Sequence, residues 1–481
     1  MEFPLWLLAT FLFLLGCCIG SFLNVVIWRL PNYRRPTTFA GRARPLTLSF
    51  PPSHCPHCQN PIRARHNIPV LGYFFLRGRC HDCRRPISPR YPLVEFGTGL
   101  VFLAVFLHAF DALGHAATLW GLPGLTLQLF YISAMLATAA IDADTFEIPL
   151  ILPHLVIAAA LATSFFGYQP GLPAVWAGSL LGQAAWGGAI GLAVSLIGLR
   201  MGILPRSFTE PRSAEEREPT SAATPPPHEA ADERPAVQTQ SPPTDAGGRY
   251  VRLIGAGILA AMSAGAYWYF GAAGGSVALL AAGLLVFLSG VLPQPMENIE
   301  LSNQVIDETR ETNVRREMLK EVLFVVPPVA GAIIFALLPL HLSAWPFMPG
   351  LTGVLAGVLV GGGLIWATRI IGSLALGRVA MGLGDVPLMA AVGAVVGALP
   401  VTLAFFIAPF VALIWAVILL ARKRPNVLPY GPWLVAAGIL VLLAGRPILS
   451  WYLARLSPPH AVTTQVFLWP GEAAPPSSAN H

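Results

Sequence analysis

Charge is what this sequence has least of. Asp, Glu, Lys and Arg together make up 11% of the 481 residues, against 55% hydrophobic, and the mean hydropathy is +0.63. Too few charged side chains remain to cover a soluble surface, so the composition excludes a water-soluble globular protein and implies a chain that crosses lipid repeatedly. No basic residue precedes the first apolar run, where only Glu2 carries a charge, which argues against a secretory signal peptide. The net charge of +6 is not a nucleic-acid signal, because the Arg excess sits in one loop beside the apolar runs. Between Arg29 and Pro92 there are twelve Arg, no Lys and one acid, Asp82. The positive-inside rule places the N-terminus outside and this loop in the cytoplasm.

What the chain has in abundance is long apolar stretches. They run at about 4–27, 93–110, 118–141, 150–166, 174–199, 251–270, 275–293, 321–341, 350–371, 386–400, 401–421 and 432–446. This predicts an all-α, polytopic helical membrane bundle of about twelve spans, with the lipid bilayer as its surroundings. The chain divides into a first span (1–28), a cytoplasmic Cys-containing loop (29–92), spans at 93–199, a linker at 200–250, further spans with a charged surface helix (251–349), spans at 350–447 and a tail at 448–481. The linker is rich in Pro, Ser, Thr, Ala and Glu, with Pro225-Pro226-Pro227, and cannot bury enough surface to offset its ordering entropy. It is expected to be disordered, as is the tail with Pro475-Pro476-Ser477-Ser478. The stretch from Glu297 to Glu321 interleaves acids and bases around Ile299, Val305, Ile306, Val314 and Met318. It reads as a solvated or interfacial surface helix rather than a binding site.

Two constellations carry chemistry. Cys55-Pro56-His57-Cys58 and Cys80-His81-Asp82-Cys83 have the spacing of a ribbon-type zinc site, four thiolates in a closed tetrahedron. A reducing cytoplasmic loop favours metal over disulfides, with a redox dithiol as the alternative. Such a site has no open coordination position, so its work is to fold a loop with little core of its own. His54, His57 and His81 read as solvated neighbours. The second constellation is Asp385, in Met381-Gly382-Leu383-Gly384-Asp385 between apolar runs. A carboxylate beside a membrane span costs about 2.5–3.5 kcal/mol at mid-bilayer and usually faces protein or water to do chemistry. Gly382 and Gly384 supply either φ > 0 or room for another backbone. Work on peptide bonds calls for a second carboxylate sharing a proton with the first. Asp142, in Ile141-Asp142-Ala143-Asp144-Thr145-Phe146-Glu147-Ile148-Pro149, ends the third expected span, and Asp385 follows the ninth. Counting from an outside N-terminus puts both at the cytoplasmic side. Asp144 and Glu147 read as loop charges capping the next helix.

The segment Gly20-Ser21-Phe22-Leu23-Asn24-Val25-Val26-Ile27-Trp28-Arg29-Leu30-Pro31 resembles the N-terminal signature of bacterial type IV prepilin peptidases, the bifunctional leader peptidase/N-methyltransferases. The two Cys pairs, Asn67-Ile68-Pro69, Leu76-Arg77-Gly78-Arg79-Cys80, Pro86-Ile87-Ser88-Pro89-Arg90-Tyr91-Pro92-Leu93-Val94-Glu95, the Asp142 segment, Gly382-Leu383-Gly384-Asp385 and Leu428-Pro429-Tyr430-Gly431-Pro432 follow in that family's order. The resemblance covers about 1–166 and 350–447. It implies an intramembrane aspartyl endopeptidase of the bacterial inner membrane that cuts pilin or pseudopilin precursors after a basic leader, typically between Gly and Phe. It also implies N-methylation of the new terminus with S-adenosylmethionine, which no glycine-rich nucleotide loop in the sequence supports independently. Asp142 and Asp385 fall on the family's two catalytic aspartates. Two departures stand out. Pro387-Leu388 replaces the usual Lys-Leu, removing a positive charge near Asp385, and a block at about 170–349 adds four expected spans to an eight-span core. Ala177-Gly178-Ser179-Leu180-Leu181-Gly182 and Ala356-Gly357-Val358-Leu359-Val360-Gly361 are loosely alike, either a duplicated span or chance, and their Gly spacing reads as close helix packing. A protease for other signal-anchored proteins, or a non-catalytic scaffold or transporter of this fold, are the rival readings.

Overall fold

The computed structural model describes residues 4–33, 36–39, 42–113, 122–166, 180–207, 276–291, 314–338, 347–421 and 429–456. Its helices, in chain order, are α1 (Leu5–Arg29), the short α2 (Leu71–Phe75), α3 (Arg90–Leu113), α4 (Leu122–Thr145), α5 (Ile151–Ser164), α6 (Leu180–Arg200), α7 (Ser276–Val291), α8 (Val314–Leu337), α9 (Met348–Leu376), α10 (Asp385–Val396), α11 (Ala398–Ala421) and α12 (Gly431–Leu456). One antiparallel hairpin, β1 (Pro36–Phe39) with β2 (Arg42–Pro45), lies in the loop after α1. The fold is helical, as expected, with this hairpin an unanticipated addition.

Seven of the described helices are long and apolar enough to cross a membrane, and four shorter ones, α5, α7, α10 and α12 through Gly445, are also apolar. The expected span at 251–270 and most of the 200–250 linker lie outside the described residues. The twelve expected runs are therefore not twelve equal crossings. With 12 residues, α10 is about 18 Å long, well short of the ~30 Å hydrocarbon core. It is also among the most enclosed helices: Asp385 and every residue from Leu388 to Val396 is buried. Helices α9, α5, α12 and α11 pack around it. A helix apolar on all sides is a core helix, and this one begins with Asp385.

Two further expectations are corrected. The charged stretch ending at Glu321 is not a surface helix over its described part. From Val314 it is the first turns of α8, with Val314, Met318 and Glu321 buried. Its residues before 314 lie outside the described set. The tail does not begin at 448, because α12 continues to Leu456, and residues 457–481 lie outside the described set. The helix runs on through Gly445 and Pro447, a pair that in the sequence reads as a stop signal.

Helix packing uses the devices lipid demands. α6 lies along α8, which contains Pro327 and Pro328. Pro328 has no N–H for the carbonyl of Phe324 four residues earlier, and Ser195 of α6 donates its Oγ–H to that carbonyl at 2.7 Å. The break in the helix ladder is thus repaired by the neighbouring helix. α9 meets α10 at Gly357 and Gly393, whose backbones approach so closely that a Cβ on either would overlap the other's carbonyl. Gly357 and Gly361, whose spacing reads as close helix packing, both sit on the α10 contact.

This contact sets where Asp385 lies, so Gly393→Ala should lower the unfolding temperature in detergent, at a cost of about 1–3 kcal/mol for overpacking. Gly363→Ala is the silent control, since a Cβ there meets nothing within 4 Å.

Candidate active site

Asp142 is carried by the last turn of α4 and Asp385 by the first turn of α10. Both are buried, at 5% and 6% exposure, and the two carboxyl groups interact electrostatically. Each has a backbone partner. The Gly431 N–H, at the start of α12, donates to Asp142 Oδ2 at 3.0 Å, and the Gly382 amide lies against Asp385 as a backbone donor, a Cβ on Gly382 sitting 3.1 Å from Asp385 Oδ2. Buried carboxylates need such donors, because an unmatched one would carry its full desolvation cost. Tyr430 stands beside Asp385, within electrostatic reach of it. The structure thus brings Asp142 and Asp385 within electrostatic reach of each other.

The glycines act by close approach. Gly382 and Gly384 are not among the residues with positive φ. A Cβ on Gly384 would press on Ile148 at 2.9 Å, where the α4–α5 turn meets the α9–α10 loop. A Cβ on Gly431 would sit 2.5 Å from Asp142 Oδ2.

Asp144 is not a helix cap. It lies inside α4, and α5 has no side-chain cap. Arg90 grips it with both guanidinium arms, Nη1 to Oδ1 at 2.9 Å and Nη2 to Oδ2 at 2.5 Å. Glu147 is exposed in the following turn, whose entry is Phe146 at φ 56 with its N–H on the Asp142 carbonyl. Asp144 thus works as an anchor two residues from Asp142.

The four cysteines expected as metal ligands converge. The Sγ atoms of Cys55, Cys58, Cys80 and Cys83 lie within 4.8 Å of one another, with Cys55 and Cys83 at 3.8 Å. Four thiolates about 2.3 Å from a tetrahedral zinc would be ~3.8 Å apart. The two Cys pairs are folded alike. Cys55 accepts from the Gln59 N–H and gives its own N–H to Asn60, and Cys80 does the same with Arg84 and Arg85. Gln59 and Arg84 both adopt the left-handed region, φ 60 and 58. Burial acts to raise the Cys80 thiol, but the amides of Cys83 and Asp82 and the neighbouring thiols outweigh it and bring it down to about 7, toward the thiolate a metal needs. The histidines turn elsewhere: His54 to the Pro52 carbonyl, His57 to Arg85, and His81 to Asp82 while stacking on His66. The loop is tied to the bundle by Arg29, which donates to the carbonyls of Thr47, Leu48 and Pro51, and by Glu95, which accepts from the Val70 N–H.

The Bacterial Peptidase A24 N-terminal domain family matches residues 14–109, which are most of α1, the Cys loop and most of α3. A prepilin leader peptidase/N-methyltransferase of Klebsiella pneumoniae is 39% identical over 207 residues, 42% of this chain and 73% of the relative. The chain belongs to the prepilin leader peptidase/N-methyltransferase family. The protein of the same name from Dickeya chrysanthemi is 45% identical over 162 residues, 31% of this chain and 52% of the relative. A type 4 prepilin-like proteins leader peptide-processing enzyme of Escherichia coli is 40% identical over 162 residues, 32% of this chain and 56% of the relative. Against these last two, the matched part of the chain spans little more than half the relative's length. No solved structure matches.

In this prepilin-peptidase family member, the structure brings the four expected cysteines together and places Asp142 and Asp385 within electrostatic reach of each other. In the sequence Tyr430 and Gly431 stand only as part of a motif, and the partnership of Arg90 with Asp144 is not among its expectations. Opposite charges at the ends of adjacent expected spans were the available signal for that pair. Gly431→Ala should displace the Asp142 carboxyl and impair any chemistry there while leaving the fold and membrane insertion intact. Intact insertion with full activity in a turnover assay would contradict the close contact. The purified protein should carry one zinc per chain by elemental analysis, and Cys58→Ser with Cys83→Ser should abolish it.

Proposed function

We propose that this protein is an intramembrane aspartyl endopeptidase that removes the leader from pilin or pseudopilin precursors. The observation that supports the reading most is the pair of buried carboxylates at the end of α4 and the start of α10, within electrostatic reach of each other and each supplied with a backbone amide. Relatives of the chain are named as a prepilin leader peptidase and as a prepilin-like leader peptide-processing enzyme.

In the mechanism we propose, Asp142 and Asp385 share one proton. The ionised carboxylate takes a proton from a water as its oxygen attacks the scissile carbonyl, while the protonated one hydrogen-bonds the carbonyl oxygen. The tetrahedral intermediate collapses as the C–N bond breaks and the amine leaves with a proton from the dyad. The pair titrates as a unit, so acid and base are roles of the dyad rather than of either residue. The Gly431 and Gly382 amides hold the carboxyl groups in register. The substrate's basic leader stays at the cytoplasmic face, its apolar helix lies along the bundle, and the scissile bond is of the Gly-Phe type. The protein sits in the bacterial inner membrane with its N-terminus outside.

Zinc, held by Cys55, Cys58, Cys80 and Cys83, would close the loop that leads into Arg90 and so steady Asp144 beside the dyad. It takes no part in the hydrolysis. N-methylation of the new terminus with S-adenosylmethionine rests on the relatives' names. No residue is assigned to that cofactor.

The test is cleavage of a Gly-Phe pilin precursor in membranes. Wild type should cleave it, and Asp142→Asn and Asp385→Asn should each lower the rate at least about 100-fold, while Asp144→Asn retains most activity. Wild-type cleavage that survives either of the first two substitutions would remove the dyad.

A further inference from the structure

The most deeply buried ion pair among the described residues lies outside the dyad. Arg369 of α9 and Glu321 of α8 are each 3% exposed. The Arg369 Nε lies 3.1 and 3.0 Å from Glu321 Oε1 and Oε2, and Nη2 lies 3.0 Å from Oε1. The Trp366 indole N–H gives Glu321 Oε2 a further bond at 2.9 Å. Glu321 is thus saturated on the side facing α9, and it fixes the plane of the guanidinium. One arm remains, and Nη1 donates to the carbonyl of Met381.

That carbonyl belongs to the peptide unit joining Met381 to Gly382. The N–H of the same unit is the one that acts as a backbone donor toward Asp385, and Gly382 lies so close that a Cβ on it would sit 3.1 Å from Asp385 Oδ2. A peptide is planar and its trans C=O and N–H point in opposite directions, so holding the oxygen aims the hydrogen. A second pin stands one turn further along α9. Ser373, fully buried, accepts the Ala380 N–H on its Oγ at 2.9 Å. α9 itself ends on Gly377 in the left-handed conformation, which turns the chain back toward those two pins.

We propose that Arg369 is a positioning residue for the dyad: clamped by Glu321, it orients the 381–382 peptide so that its amide holds the Asp385 carboxyl. The inference rests on the peptidase reading above. Glu321 lies in the block that the family resemblance does not cover, so this block is a structural partner of the active-site loop rather than an appendage. The guanidinium is also within electrostatic reach of Asp385, where Pro387 stands in place of the Lys expected from the resemblance. A lysine could not replace Arg369, because one ammonium cannot span a two-oxygen carboxylate and a carbonyl with a fixed fork.

Single variants that leave one charge buried alone are strongly destabilising, whereas apolar replacement of both partners is often neutral or better. The decisive variants are therefore Glu321→Leu with Arg369→Met, and the exchanged pair Glu321→Arg with Arg369→Glu. Both can keep the bundle folded, and neither leaves a guanidinium on residue 369 to hold Met381. Each is expected to lower kcat about 10- to 100-fold, the scale of a small misplacement of a reacting group, with KM changed less than about threefold and thermal stability retained. Amide exchange over 380–385, measured with deuterium in nanodiscs, should speed up in both. If a well-folded exchanged pair cleaves like wild type, the ion pair is only structural and the proposal falls. Unchanged exchange over 380–385 in both double variants overturns it equally. If wild type cleaves no precursor, the peptidase reading fails, and the exchange measurement alone then decides whether the clamp orders the loop.

Discussion

A carboxyl group enclosed in an apolar bundle must be supplied with polar partners by the protein itself, because no bulk water reaches it at low cost. Most of the polar structure around α10 answers that demand. Asp142 receives the main-chain N–H of Gly431, and the Gly382 amide lies against Asp385. Main-chain donors can be aimed only by fixing the loops that carry them. The 377–385 loop is fixed by Arg369 and Ser373 on α9, and the end of α4 is fixed by Arg90 on Asp144. The enclosed, 12-residue α10 follows from the same demand: a full crossing would carry its first residue to the bundle's edge, whereas a short core helix keeps Asp385 among its neighbours.

Helices in lipid gain little from hiding apolar surface from one another, so their association depends on close backbone contact and on interhelical hydrogen bonds. Both are visible between α9 and its partners. Gly357 and Gly393 let α9 and α10 touch through their main chains, while Trp186 of α6 donates to Thr352 of α9 at 3.0 Å. The Glu321–Arg369 pair adds a charged link between α8 and α9. Through these contacts α6 and α8, which fall in the block beyond the family resemblance, are joined to the helix that orders the active-site loop.

The Cys loop shows the opposite regime. It has scarcely any apolar core, and its shape comes from two equivalent knuckles whose thiols converge. Its attachment to the membrane part is polar, through Arg29, Glu95 and Arg90. Arg90 is the link that matters for the site, since it begins α3 directly after the second knuckle and reaches Asp144 across 54 residues of sequence.

What the sequence determined alone is what local chemistry dictates. Apolar runs had to become helices because only a helix satisfies its own backbone in lipid. Two Cys-x-x-Cys pairs had to make knuckles, because four residues contain the whole turn. An Asp in a glycine setting between apolar runs had to be sheltered by protein. Tertiary structure alone decided the partners. Gly431 reaches Asp142 across 289 residues and Arg369 reaches Glu321 across 48. Glu321, read from its neighbours as a solvated surface charge, became a core residue because Arg369 and Trp366 on another helix were there to receive it. Asp144 passed from expected cap to anchor for the same reason. A charge's own segment states that it needs a partner, and only the packing of distant helices determines which one it meets.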